Sequence, residues 1–122
     1  MAGRVLIVDD DVWFADQLAR TVEKVGYRAT CVRNGVEAMR EIDSACPDVI
    51  VLDFFMPGPN GLVLLHELQS HSDLATIPVI LCTNIASDIK SDTLEQYGVR
   101  CVLDKTAMEP SDVVTAVRKV LL

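Results

Sequence analysis

Val49-Ile50-Val51-Leu52-Asp53 is a run of four branched apolar residues that stops on a carboxylate, and the next segment, Met56-Pro57-Gly58-Pro59-Asn60-Gly61, can only be a loop. A strand that is apolar on both faces has no solvent side, so it belongs inside a parallel sheet covered by helices. Beyond the loop, Leu62, Leu65 and Leu68 mark a helix. Upstream, Asn34 stands three residues before Glu37 and opens a capped helix through Ala45, which Pro47 stops. Arg28–Val32 reads as a strand. Phe14, Leu18, Val22 and Val25 repeat at helical spacing over residues 12–25, with Gly26 suited to the C-terminal cap. The first strand, Arg4–Val8, runs straight into Asp9-Asp10-Asp11. Downstream, a strand over Ile77–Cys82 ends at Thr83, a more polar helix covers residues 87–97, and Arg100–Leu103 leads into Asp104-Lys105. Pro110 fits the first turn of a last helix, whose apolar side is Val113, Val114, Val117 and Val120–Leu122. This alternation predicts five βα units in an α/β fold, a doubly wound parallel sheet with helices on both faces. Residues 1–122 form one domain, with no repeats or linkers.

Composition narrows the function. Half of the 122 residues are hydrophobic and only six are aromatic, so the core is built mostly from Val, Leu, Ile and Ala. The net charge is −7, and Lys and Arg are absent from Glu41 to Ile89 while seven acids fall there. Such a surface repels phosphate backbones and anionic lipid heads, which argues against direct nucleic-acid or membrane binding by this domain. The base-free middle serves solubility first, and second offers a face for a basic partner. Val5–Val8 is too short for a signal-peptide core, and no apolar stretch could span a bilayer. Cys31, Cys46, Cys82 and Cys101 form no C-x-x-C pair, and three lie in apolar runs; they read as buried, reduced thiols of a cytoplasmic protein.

In an open parallel sheet, ligands bind beyond the carboxyl ends of the strands. Those ends carry Asp9, Asp10 and Asp11 after the first strand, Asp53 after the third, Thr83 after the fourth and Lys105 after the fifth. Two carboxylates about 5 Å apart repel by roughly 3 kcal/mol at an effective dielectric of about 20, so a cation must bind among them. Hard oxygen ligands on a partly open site favour Mg²⁺. The expected arrangement is a divalent ion on Asp10, Asp53 and, through water, Asp9, with Lys105 and Thr83 facing a phosphoryl group.

With these pieces in order, the chain resembles the receiver domain of bacterial two-component response regulators over essentially its whole length. The resemblance rests on V-D-D-D after the first strand, L-D-F-F-M-P-G-P-N-G around Asp53, L-C-T-N at Thr83 and L-D-K-T at Lys105. It implies a flavodoxin-like (βα)₅ fold with strand order 2-1-3-4-5. It further implies that Asp53 is the phosphoacceptor, that Asp9, Asp10 and Asp53 hold Mg²⁺ with the backbone carbonyl of Phe55, and that Thr83 and Lys105 contact phosphoryl oxygens. The implied partners are a histidine kinase or phosphotransfer protein on the donor side and an output domain or protein on the other. Phosphorylation would draw the Thr83 hydroxyl inward and repack the loop after the fourth strand and the fifth strand. Self-catalysed phosphorylation and dephosphorylation are implied, rather than turnover of a substrate.

Four positions depart from the family pattern. Thr106 follows the lysine where the family has a cis proline; a non-proline cis bond costs about 3–4 kcal/mol, so a trans bond here would place Lys105 differently. Val102 replaces the switching aromatic, Asn84 stands where a small residue is usual, and Phe55 is bulky. Val102, Asn84 and Thr106 motivate an alternative, a pseudo-receiver acting as a phosphorylation-independent interaction module. Other chemistry fits less well: an FMN carrier would not place three aspartates in its phosphate loop, and Asp53 is not followed by the D-x-D-x-T of aspartate phosphatases. Asp11 reads as charge at a helix N-terminus and Asp104 as a surface acid. His66 and His71 are five residues apart, which puts them off one helix face and excludes a zinc-protease pair. The end at Leu122 fits either a single-domain regulator or the receiver of a longer protein.

Overall fold

A computed structural model describes residues 3–53, 61–84 and 95–121. Five strands, β1 (Arg4–Val8), β2 (Arg28–Val32), β3 (Val49–Leu52), β4 (Val79–Thr83) and β5 (Val99–Asp104), form one parallel sheet in the order β2-β1-β3-β4-β5. Among the described residues there are four helices, α1 (Val12–Lys24), α2 (Gly35–Ser44), α3 (Gly61–Gln69) and α4 (Pro110–Leu121). This is a flavodoxin-like fold.

Side-chain alternation along the strands divides the interior in two. Leu6 and Val8 of β1, Ile50 and Leu52 of β3, and Val79 and Leu81 of β4 pack on one face with Ala38 and Ile42 of α2 and Leu64, Leu65 and Leu68 of α3. Val5, Ile7, Val49, Val51, Ile80 and Cys82 point the other way, onto Leu18 and Val22 of α1 and Val113 and Val117 of α4. β1, β3 and β4 are buried along nearly their whole length, as a sheet covered on both faces requires. β2 differs: it is an edge strand and only Val32 is fully buried. Cys31 and Cys46 are accordingly exposed, Cys101 is half-buried, and only Cys82 is buried, which corrects the expectation of generally buried thiols.

Local signals set the element ends. Asp11 and Asn34 cap α1 and α2, accepting the backbone N–H of Phe14 and Glu37 respectively. Gly26, at φ 100°, turns the chain out of α1, a conformation that glycine adopts without steric cost. β4 begins at Val79, two residues later than the apolar run suggests. Pro78 has no N–H to give a ladder, and the N–H of Ile77 is bonded to Leu74 in the preceding turn. β4 and β5 pair with a shift: Val79 faces Val99 but Ile80 faces Cys101, and from there the register carries Thr83 opposite Asp104. The extra residue in β5 thereby brings Lys105 to the end of β4. Most of the helix expected over residues 87–97 lies outside the described residues.

Candidate functional site

Backbone pairing brings the strand-end residues together. The Asp9 N–H donates to the Val32 carbonyl at 3.0 Å, the Asp53 N–H to that of Val8 at 2.9 Å, and the Lys105 N–H to that of Thr83 at 3.0 Å. These bonds fix the end of β1 to those of β2 and β3 and the end of β5 to that of β4, and the pairing of Leu52 with Leu81 joins the two groups, before any side chain is considered. Asp9 and Asp53 are buried and Thr83 is fully so, whereas Asp10 remains exposed. One carboxylate oxygen from each of Asp9, Asp10 and Asp53 lies within 4.8 Å of the other two. This is the one group of at least three metal-ligating acids, thiols or imidazoles among the described residues.

Lys105 enters this cluster from β5. Its Nζ is 2.9 Å from Asp9 Oδ2 and 3.4 Å from Asp53 Oδ2, and its side chain is only 11% exposed. Burial works against the ammonium charge, but the two carboxylates outweigh it and hold the Lys105 pKa above its usual value. Burial is also the largest influence on Asp9; it pushes that carboxyl up, against Lys105 and the Asp11 N–H, which donates to Asp9 Oδ1 at 2.8 Å. Among the described residues, three carboxylates here meet one ammonium. The donor set fits Mg²⁺ in kind: three carboxylate oxygens converge at one strand-end edge, and the exposed side of Asp10 leaves room for retained waters.

Two side chains that the sequence did not single out for the site also bear on it. The face of the Phe14 ring lies beneath Lys105, with Nζ 4.5 Å from its centroid. Phe14 counted in the sequence only as a core residue of the first helix. Asp104, read as a surface acid, is exposed, yet its Oδ1 accepts the Thr106 N–H at 2.9 Å and the Thr106 hydroxyl at 2.6 Å. Those two bonds hold its pKa below the usual value. All described peptide bonds are trans, that between Lys105 and Thr106 included, and Lys105 still reaches both buried carboxylates.

Other expectations resolve elsewhere. Phe55 lies outside the described residues. Val102 is half-buried and packs against the α2–α3 side of the core, and Asn84 is exposed. His66 shares a 3.2 Å hydrogen bond with the Tyr97 hydroxyl, whereas His71 stands 3.9 Å from Glu67, so the two imidazoles have separate partners. An apolar groove between α2 and α3 is lined by Val36, Met39, Val63 and Leu64, with Asp43 and Glu67 at its rim. None of the clustered acids lines it. Phosphoryl chemistry requires converging carboxylates with an ammonium, which the strand ends bring together.

The sequence pattern described as the response regulator receiver domain matches residues 5–118. The sensory transduction protein RegX3 of Mycobacterium tuberculosis is 39% identical over 85 residues, 70% of this chain and 36% of that protein. The DNA-binding response regulator MtrA of Mycolicibacterium paratuberculosis is 28% identical over 111 residues, 90% of this chain and 46% of its own length. The chain therefore spans less than half the length of these curated relatives. Among solved structures, the signal receiver domain of a signal transduction histidine kinase from Syntrophus aciditrophicus matches with a TM-score of 0.84 at 34% identity, covering 98% of this chain and 90% of that one. The chemotaxis response regulator CheY4 of Vibrio cholerae matches in fold with a TM-score of 0.88 at 24% identity, covering 98% and 99%.

Proposed function

The chain belongs to the response regulator receiver domain family, and from that premise we propose that it is a phosphoacceptor in two-component signalling. Asp53 takes a phosphoryl group from the phosphohistidine of a histidine kinase or phosphotransfer protein, or from a small phosphodonor. An Asp53 carboxylate oxygen bonds to phosphorus while the P–N bond of the phosphohistidine breaks, or, with acetyl phosphate, while the P–O bond breaks and acetate leaves. The released imidazole nitrogen keeps the electron pair and takes a proton from solvent.

One observation carries this reading: the Lys105 ammonium touches both Asp9 and Asp53 beside a third carboxylate. Phosphoryl transfer asks a protein mainly to position groups and offset charge, and Lys105 is placed to do so on the equatorial oxygens. Mg²⁺ held by Asp9, Asp10 and Asp53, with the Phe55 carbonyl as a further ligand, would screen the carboxylates from the incoming phosphate. Thr83, at the end of β4, would turn its hydroxyl to the new phosphoryl oxygens and so alter the loop after β4 and the adjoining β5. The family, the net charge of −7 and the lack among the described residues of a helix able to cross a membrane support a cytoplasmic role without direct DNA contact by this domain. An output domain or protein partner would carry the signal onward.

Incubation with acetyl phosphate and Mg²⁺, read by intact mass, should give a labile adduct of one phosphoryl group on the natural chain and none on Asp53→Asn. Equal labelling of the two, or none on either while a control receiver labels, rejects the proposal. Val102, which offers no ring at a switching position, favours a second reading as a phosphorylation-independent binding module. A change in partner affinity on adding beryllofluoride with Mg²⁺ would count against it.

A further inference from the structure

Lys105 has four rotatable side-chain bonds, and holding so flexible a group in one geometry costs rotamer entropy. Its reach to Asp53 therefore needs support from both the backbone below it and the surface it lies on. The backbone support comes from Asp104. After Lys105 the chain turns sharply, and the Ala107 and Met108 N–H groups both donate to the Asp104 carbonyl, at 3.1 and 2.9 Å. The Asp104 carboxylate adds the N–H and hydroxyl of Thr106. Four hydrogen bonds thus converge on the residue before the lysine, and Asp104 itself is registered opposite Thr83. The carboxylate does by side-chain hydrogen bonding what a ring-locked residue after the lysine would do by covalent constraint.

The surface comes from Phe14. Its ring packs against the core beside α1 and α4, and its backbone N–H is held by the Asp11 cap at 3.1 Å. The 4.5 Å separation of Nζ from the centroid is within cation–π range. A ring face neither titrates nor takes up phosphate, unlike the carboxylates that are the other partners of Lys105. We infer that Asp104 and Phe14 are positioning residues for phosphoryl transfer: the Asp104–Thr106 turn sets the backbone of Lys105, and the Phe14 ring holds its ammonium over the site. This inference rests on the reading of Asp53 as phosphoacceptor.

The test compares initial rates of Asp53 labelling by acetyl phosphate at fixed Mg²⁺ in the full chain, with folding checked by circular dichroism. Asp104→Ala and Phe14→Leu should each slow labelling about ten- to a hundredfold, the scale of a misplaced catalytic group. Asp104→Asn keeps an acceptor oxygen for the turn, and Phe14→Tyr keeps the ring face, so both should recover most of the rate. Thr106→Ala, which removes one of the two bonds to Oδ1, should give a smaller loss. In a Lys105→Ala background, Asp104→Ala and Phe14→Leu should change the residual rate by less than about twofold, because the group they position is gone. Natural rates in Asp104→Ala and Phe14→Leu would overturn the inference. So would a Phe14→Leu rate equal to that of Phe14→Tyr, or equal fold-losses with and without Lys105. Should the natural chain itself fail to label where a control receiver does, the phosphoacceptor reading falls first, and the inference falls with it.

Discussion

Lys105 brings one positive charge into a cluster of three carboxylates, and the consequences reach beyond its own contacts. Asp9 lies closest to it, yet burial still lifts the Asp9 carboxyl above its usual value. In the metal-free chain the folded state then binds the Asp9 proton more tightly than the unfolded state does. Stability from this group must therefore fall as pH rises from the ordinary carboxylate value through the raised one. Mg²⁺ competes with that proton, so its affinity should weaken as pH falls through the same window. Calorimetric Mg²⁺ titrations across the acid range should show this weakening, and a flat profile would contradict the raised Asp9. Asp9, Asp10, Asp53 and Lys105 were legible in the sequence because each stands one or two residues past an apolar run, and strand ends of a parallel sheet share an edge. Phe14 was not legible in its role. Helical spacing tells which face a residue occupies, but not that β5, some ninety residues on, delivers an ammonium over its ring. Asp104 is the surface acid the sequence suggests, but its bonds to Thr106 were not legible for a related reason: the 2.6 Å hydroxyl bond exists only once β5 ends where it does.

The elements that hold the site are short, and their ends are set by side chains rather than by length. α2 has ten residues, a length at which an isolated helix is marginal, so its cap and its packing must carry it. Asn34 Oδ1 accepts the Glu37 N–H at 2.9 Å, while Glu37 reaches back to the Arg33 N–H at 3.0 Å. These contacts lower the Glu37 pKa, the Arg33 N–H bond first among the causes. We expect Asn34→Ala to lower the stability of the domain by about 1 kcal/mol, seen as a lower urea midpoint at unchanged slope. Loss of less than a few tenths of that would show that packing alone defines the start of α2. This cap could be read directly from Asn34 and Glu37 at their spacing, since the motif is local. The start of β4 could not, because the buried Ile77 looks like strand in the sequence while its N–H is spent on the turn before Pro78. Burial and ladder pairing are different properties, and an apolar run reports only the first.

At the scale of the whole molecule, alternation of apolar runs and helical patterns gave the layers, but not which strand lies beside which. Every central strand is equally apolar, so periodicity carries no order; the order 2-1-3-4-5 came from likeness to a family and is what the sheet has. That order explains why β2 contributes no side chain to the site: it is an edge strand with β1 between it and Asp53 on β3, and it gives only the Val32 carbonyl, which accepts the Asp9 N–H. It also explains the placement of charge. A chain of net charge −7 already resists compaction through self-repulsion, and converging strand ends add three carboxylates at one rim. A divalent cation relieves both terms at once, binding the folded chain through groups that only the fold assembles. The linkage can be measured: at a free Mg²⁺ concentration about a hundred times its dissociation constant, unfolding should cost about 2.7 kcal/mol more than without the ion. Urea melts with Mg²⁺ should show that increment, and NaCl at matched ionic strength should show much less, because screening acts on the diffuse −7 and not on the cluster. Asp53→Asn and Asp10→Asn should each shrink the Mg²⁺ increment while leaving the NaCl response in place. An increment that NaCl reproduces in full would mean that the acids at the strand ends are a consequence of topology and not a metal site.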